Sequence, residues 1–280
     1  MITGGNDEET EFPWWLAAAV AAGLLIAGVI ATNDLYSQIL TIVSRGIGIT
    51  VFVTLTAFTL ASAIGLLLAV MALSGSVVLR QVSRFYVEII RGVPILVLLF
   101  YIAFVAAPAF VVAFNWLSGP LQMAGLVKEM TVRDFPLLWR AVMALTVGYS
   151  AFVAEVFRAG IQSVEKGQIE AAKALGLSRF QRFRLIILPQ AVRTILPPLG
   201  NDFVAMVKDS SLVSVLGVAD LTQMGKVYAS GSFRFFETYS VVAYIYLILT
   251  IGLSLLLRRL ERRMRRADTL RGNSSRPFPN

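Results

Sequence analysis

The sequence predicts an all-α fold: a polytopic membrane helix bundle of about six transmembrane helices, with a helix-turn-helix in one cytoplasmic loop. Of the 280 residues, 57% are hydrophobic and only 15% are charged, whereas soluble globular domains carry about 25% charged residues. The mean hydropathy is +0.73. The apolar residues also come in blocks of about 20, which is the length of a helix that crosses a bilayer.

The apolar blocks place the transmembrane helices in order along the chain. The predicted spans are residues 14–31, 47–73, 85–114, 137–157, 191–218 and 239–257. The first block follows an acidic stretch, whereas a signal peptide begins with basic residues. We therefore expect a retained helix there. Pro94 and Pro108 interrupt the third block.

The fifth predicted span is the least apolar of the six. It contains two prolines and several polar or charged residues, namely Pro197, Pro198, Asn201, Asp202, Lys208 and Asp209. Pro and polar groups are tolerated in a membrane helix that packs against other helices. A buried or partly re-entrant segment is the alternative interpretation.

The distribution of basic residues predicts the orientation. Most of the Lys and Arg residues lie in the loop 158–193 and in the tail 258–276. Because basic residues concentrate on the cytoplasmic side, we expect this loop and both termini of a multi-pass membrane protein to face the cytoplasm. The Arg-rich tail is then an anchor on anionic membrane lipid, and the net charge of +8 does not indicate nucleic-acid binding.

Composition and motifs exclude several kinds of chemistry. The chain has no Cys and no His, which removes thiolate chemistry, Cys/His metal sites and His-based acid–base catalysis. It also lacks a G-x-x-x-x-G-K-[ST] phosphate loop, and Gly225-Lys226 does not complete one. No catalytic, metal or cofactor-binding residue is therefore predicted.

The loop at 165–190 has a pattern of its own. Good helix formers around Glu170 are followed by Gly176, which favours the end of a short helix. A second amphipathic stretch, from Arg179 to Leu188, is expected to end at Pro189. Small side chains on the first helix and a glycine at the bend make a shape that fits a groove on another protein.

This loop resembles the EAA loop of ABC importer permeases. The matching residues are Glu170-Ala171-Ala172, then Gly176 after three residues, Ile186 after nine more, and Leu188-Pro189 after one more, with Gly167 and Leu177 adjoining them. The resemblance implies that the loop docks on a cytoplasmic ATPase dimer that binds ATP and Mg²⁺, while this chain binds no cofactor. It also implies a second permease subunit, identical or homologous, and a substrate-binding protein outside.

Three further segments narrow the resemblance to polar amino-acid permeases of the histidine/glutamine type. They are residues 86–101, 152–168 and 201–217. The implied organisation is an N-terminal acidic tail with an extra transmembrane helix (1–44), a permease core (45–260) and a basic cytoplasmic tail (261–280). Residues 107–137 are longer than in compact members of the family, and are expected to be extracytoplasmic.

Charges inside predicted spans mark candidate functional residues, because a charge in a bilayer is costly. Glu88 and Arg91 in the third span, and Glu155 and Arg158 in the fourth, are each three residues apart. They form either two intrahelical pairs or a gate at the inner mouth. In the fifth span Asn201, Lys208, Ser211 and Val215 fall on one predicted helical face with Asp202 and Asp209 beside it. That face lines the translocation path, joins two subunits or pairs within the bundle.

Two other function classes remain as alternatives. An ion-coupled secondary transporter of small solutes would use the charged spans as a relay, but it would leave the EAA-like loop without a role. A membrane enzyme ranks last, because the sequence has no convergent carboxylate cluster and neither His nor Cys.

Overall fold

A computed structural model describes residues 14–273 as helices joined by short turns, and this part of the chain contains no β-strand. The predicted all-α fold is therefore confirmed. The helices are α1 (Trp14–Thr32), α2 (Asp34–Ser44), α3 (Ile47–Ala72), α4 (Val77–Gly92), α5 (Ile95–Tyr101), α6 (Ala107–Met123), α7 (Leu137–Gln162), α8 (Lys166–Ala174), α9 (Arg179–Arg182), α10 (Leu188–Asp209), α11 (Leu221–Ser232) and α12 (Phe235–Asn273). The acidic stretch before residue 14 and the tail beyond residue 273 lie outside the described residues.

Four helical stretches of the described chain are long and apolar enough to cross a membrane. They are Asp34–Ala72, Ile95–Met123, Leu137–Gln162 and Phe235–Arg262, and a shorter apolar helix covers Val20–Thr32. The helix α10, predicted as part of a fifth span, is not among them, because residues such as Asn201, Asp202 and Lys208 lower its hydropathy. That the chain crosses the membrane six times therefore stays a prediction.

The third predicted span is wrong at its N-terminal end. Residues 85–92 belong to α4, an amphipathic helix that ends at Gly92, and a new helix begins at Ile95. Pro94 causes the break, because the residue before a proline is pushed out of the helical region, and Val93 is extended at φ −103° and ψ 130°. Pro108 causes no break, since it lies in the first turn of α6 after the π-helical segment Ile102–Ala106. Glu88 and Arg91 therefore precede the apolar span and do not lie within it.

The predicted stop at Pro189 is also wrong. The helix α9 continues through a π-helical segment, Phe183–Ile187, directly into α10. In this segment the Leu188 amide donates to the Phe183 carbonyl, five residues earlier. Because a π-bulge already interrupts the regular hydrogen-bond ladder, the missing amide hydrogen of Pro189 is accommodated without ending the helix.

The central packing is between α3 and α7, which approach closely through small residues. A Cβ on Gly65 of α3 would lie 2.9 Å from Val153 Cγ1 and 3.0 Å from the Ala154 nitrogen of α7. Ala57 and Ala61 on α3 are fully buried in the same core. Small residues are typical of helix contacts inside membranes, because van der Waals packing replaces the hydrophobic effect there.

A second apolar cluster joins the N-terminal helices to the end of the chain. Ile39 and Val43 of α2 are buried with Leu221 of α11 and Val241 of α12. The helix α2, which falls in the predicted N-terminal segment 1–44, therefore packs directly against the C-terminal helices.

The loop between α6 and α7 is held by polar contacts. Arg140, only 7% exposed, donates to the carbonyls of Phe135 (2.8 Å), Ala103 (3.1 Å) and Val132. The Thr131 amide and hydroxyl donate to the Asp134 carboxylate, both at 2.8 Å, and these bonds lower the pKa of Asp134. The predicted insertion at 107–137 thus consists of α6 and a hydrogen-bonded loop.

The turn between α2 and α3 crosses the start of α11 at very short range. A Cβ on Gly46 would lie 2.4 Å from the Asp220 carbonyl carbon. Asp220 caps α11 by accepting from the Gln223 amide at 2.8 Å, and the Leu221 amide donates to Thr50 Oγ1 at 3.1 Å. Gly46 is therefore required by the space available and not by its backbone angles.

We predict that Gly46→Ala lowers the stability of the folded chain, by about 1–3 kcal/mol as expected for overpacking. Its new methyl group would meet backbone atoms, which cannot rotate away. Gly48→Ala is the matched control, since nothing lies within 4 Å of a Cβ at that position. Thermal unfolding of the two variants in detergent measures the difference, and equal melting temperatures would contradict the close crossing.

Candidate functional site

The EAA-like loop begins with α8, which ends in a Schellman motif at Gly176. The Gly176 amide donates to the Lys173 carbonyl at 2.9 Å, and the Leu177 amide donates to the Ala172 carbonyl at 3.1 Å. Gly176 has φ +77°, a left-handed conformation that favours glycine. The helix end predicted at Gly176 is confirmed.

Most of the EAA-like residues are accessible at the surface of the described chain. Glu170, Ala171, Gly167, Leu188 and Pro189 are exposed, Leu177 and Ile186 are half-buried, and Ala172 is buried. Two large apolar side chains beside the bend are also exposed, Leu175 at 81% and Phe180 at 69%. Exposed apolar groups next to a conformationally fixed turn are typical of a contact surface for another protein.

Polar contacts connect α8 and the end of α7 to α10. Gln190 Nε2 donates to Gln168 Oε1 at 2.6 Å, and Ser163 Oγ donates to Thr194 Oγ1 at 3.2 Å. A Cβ on Gly160 of α7 would lie 2.2 Å from Ile195 Cγ1 of α10. These contacts join α8 to α10, and α10 to α7.

The four charges predicted at the inner mouth line one pocket of about 390 Å³ between α4 and α7. Arg158 and Glu155 form the predicted intrahelical pair at 2.6 Å. The second predicted pair is wrong: within the described part of the chain Glu88 has no ion-pair partner. Arg91 instead lies over the Phe152 ring, 5.7 Å from its centroid.

Two contacts hold α4 against α7 beside this pocket. The hydroxyl oxygens of Tyr86 on α4 and Ser150 on α7 are 2.8 Å apart. Five residues further along α4, Arg91 lies over the Phe152 ring and interacts electrostatically with the Glu155 carboxylate. Opposite charges therefore face each other across the pocket at Arg91 and Glu155.

The predicted polar face of the fifth span is only partly present. Asn201 and Lys208 are exposed on α10, but α10 ends at Asp209 and residues 210–216 form a 3₁₀-helix. Three residues per turn place Ser211 and Val215 about a third of a turn apart, whereas an α-helix would align them. Ser211 is half-buried, and Val215 is exposed.

Asp209 and Asp202 lie on the side of α10 that faces α7. Tyr149 of α7 donates its hydroxyl hydrogen to Asp209 Oδ2 at 2.7 Å. Asp202 Oδ2 is buried and has no hydrogen-bond partner within the described chain. Sequence reasoning missed Tyr149, because its only signal was a phenol within an apolar stretch.

A metal site is absent from the described residues, in which no group of three or more Asp or Glu side chains could hold an ion.

The chain resembles known transport proteins over most of its length. Residues 61–266 match the family described as the binding-protein-dependent transport system inner membrane component. A probable amino-acid permease protein of Bacillus subtilis (strain 168) is 38% identical over 220 residues, which cover 79% of this chain and 90% of that protein. The glutamine transport system permease protein of Escherichia coli (strain K12) is 40% identical over 202 residues, covering 72% and 83%.

Solved structures of transporters are also similar to this chain. A crystal structure of an amino acid ABC transporter with histidines matches with a TM-score of 0.67 and 36% identity, over 84% of this chain and 98% of that one. An inward-facing methionine ABC transporter shares the fold, with a TM-score of 0.59 and 20% identity, over 83% of this chain and 99% of that one. The chain is therefore a member of the inner membrane component family of binding-protein-dependent transport systems.

Proposed function

We propose that the chain is the permease subunit of an ATP-driven importer of polar amino acids. The observation that carries the proposal is the exposed helix and glycine turn at 166–177, with Leu175 and Phe180 beside it. Relatives named as glutamine and amino-acid permeases support the substrate class. The secondary-transporter alternative leaves this surface without a partner.

We infer the partners from this surface and from the family to which the chain belongs. A cytoplasmic ATPase dimer, with ATP and Mg²⁺ bound to it, docks on the EAA-like loop, and this chain binds no cofactor. A second permease subunit completes the pore, and a binding protein delivers the amino acid on the outer side. We place both termini in the cytoplasm of a six-pass inner membrane protein, since the basic loop at 158–193 and the basic tail are then on one side.

We further propose that α7 and α10 transmit the ATPase movement to the path. The ATPase moves α8, and the contacts from Gln168 to Gln190 and from Ser163 to Thr194 carry that movement to α10. Alternating access follows when the inner mouth closes as the outer one opens.

The path in this proposal has two parts. The exposed Asn201 and Lys208 line it at mid-membrane, next to Asp202, Asp209 and Ser211. Glu88, Arg91, Glu155 and Arg158 form the gate at the cytoplasmic mouth. Charges of both signs suit a zwitterionic amino acid.

We predict that Gly176→Val uncouples ATP hydrolysis from uptake. The left-handed conformation costs a branched residue roughly 1–2 kcal/mol, which lowers the population of the docked loop by about tenfold. Uptake into liposomes should fall while ATP hydrolysis and membrane insertion persist.

The matched control for this variant is Gly125→Val, in the turn that follows α6. Gly125 has nearly the same backbone angle (φ +74°), and neither position has an atom within 4 Å of a new Cβ. Its uptake should equal that of the parent chain, and normal uptake by Gly176→Val would count against the coupling role.

We predict that Leu175→Gln removes the ATPase from the purified complex. The substitution takes away an exposed apolar contact without disturbing the core. Leu126→Gln is the control, because Leu126 is similarly exposed at 74% but lies in the loop before α7. Co-purification in mild detergent measures the effect, and the same amount of ATPase with both variants would rule out this docking surface.

We predict that Tyr149→Phe and Asp209→Asn are non-additive. Tyr149→Phe removes the donor of a charge-assisted hydrogen bond, worth about 1.5–3 kcal/mol, and Asp209→Asn replaces the charged acceptor by a neutral one. Once one partner has been changed, the second substitution has little of this bond left to weaken. The double variant should melt close to the lower of the two single variants. Fully additive shifts in melting temperature would show that the two side chains do not interact.

A further inference from the structure

We propose that the pocket between α4 and α7 is a subsite for the charged head of an amino acid at the cytoplasmic end of the path. Its charged lining comprises Arg80, Arg84, Glu88, Arg91, Glu155 and Arg158. The inference rests on the proposed function and adds a ligand site to it. The volume of about 390 Å³ lies within the range of roughly 300–1,000 Å³ usual for small-molecule sites.

Several charges around the pocket already have partners in the chain. Arg80 donates to the Ser74 and Gly75 carbonyls at 3.0 and 3.2 Å, so it closes the turn before α4. Arg158 binds both Glu155 and Gln162. These groups form the walls of the pocket.

Three charges on α4 have no such hydrogen-bonded partner within the described chain, and one of them, Arg91, lies over the Phe152 ring instead. Arg84 and Glu88 form no hydrogen bond or ion pair within the described chain, although they are four residues apart and lie on the same side of the helix. A guanidinium binds a carboxylate through paired hydrogen bonds, and a carboxylate accepts from an ammonium group. The α-carboxylate and α-ammonium of an amino acid complement these two groups together.

The charge of Glu88 favours a zwitterion over the anionic headgroup of a lipid. The exposed apolar residues Val78, Val82, Phe85 and Ile89 recur on one face of α4, and Glu88 lies at the border of that face, three residues from Phe85. An anionic headgroup at this border would be repelled by Glu88. Glu88 also disfavours a simple anion such as phosphate, because it repels negative charge.

The test measures binding of three probes to the assembled transporter in nanodiscs, without the binding protein. The probes are L-glutamine, L-glutaminamide, which lacks the carboxylate charge, and N-acetyl-L-glutamine, which lacks the ammonium charge. Any α-amino acid serves, because the site recognises the charged head shared by all of them. The parent complex should bind L-glutamine more tightly than either analogue.

The variants assign each charge to its group. Arg84→Gln should weaken the binding of L-glutamine by about tenfold and leave the binding of L-glutaminamide unchanged. Glu88→Gln should weaken the binding of L-glutamine and leave the binding of N-acetyl-L-glutamine unchanged. Lys128→Gln, in the loop between α6 and α7, removes one positive charge elsewhere and should leave binding of all three probes unaltered.

Three results would overturn the subsite. The first is that Arg84→Gln weakens the binding of all three probes equally. The second is that L-glutamine binds to both pocket variants as tightly as to the parent complex. The third is that phosphate binds in a way that depends on Arg84 but not on Glu88. A parallel assay of ATP-dependent uptake with the loaded binding protein separates the two proposals. Uptake with no binding to the pocket overturns the subsite alone, whereas failure to take up any amino acid overturns the proposed function.

Discussion

The close approach of α3 and α7 is the constraint on which the other functional positions depend. Gly65 leaves room for Val153 and the backbone at Ala154, where a Cβ would come within 3.0 Å. In a bilayer the apolar surface of a helix gains little by leaving lipid, so contact between helices depends on shape. Small residues therefore fix how α7 is placed, and α7 in turn carries functional groups along its whole length.

Three contacts divide α7 into parts with different roles. Arg140 holds the preceding loop at one end, Tyr149 reaches Asp209 in the middle, and Gly160 admits Ile195 of α10 near the other end. Because both α7 and α10 border the EAA-like loop, they form one unit around the loop. In the proposed mechanism, a force applied at α8 moves a packed pair of helices, whereas a lone connector would absorb it by bending.

The sequence predicts the helices well where hydropathy or a glycine determines the outcome, and less well where a proline does. The spans around α3, α7 and α12 and the turn at Gly176 were predictable because each signal is local. Pro94 ends a helix but Pro189 does not, since a π-helical segment before Pro189 has already shifted the hydrogen bonds. The pairing of Tyr149 with Asp209 was not predictable, because it joins residues 60 positions apart.

Only one of the two acidic side chains in the pocket has an ion-pair partner, and this difference has an energetic consequence. Glu155 on α7 is paired with Arg158, but Glu88 on α4 has no ion-pair partner within the described chain. Several kcal/mol would be lost if such a charge were buried away from water, so this pocket must stay hydrated or be filled by a ligand of matching charge. Across the pocket Arg91 lies near Glu155, whereas Glu88 has no ion-pair partner within the described chain. The proposed subsite would supply the missing cation, because the ammonium group of a bound amino acid neutralises Glu88.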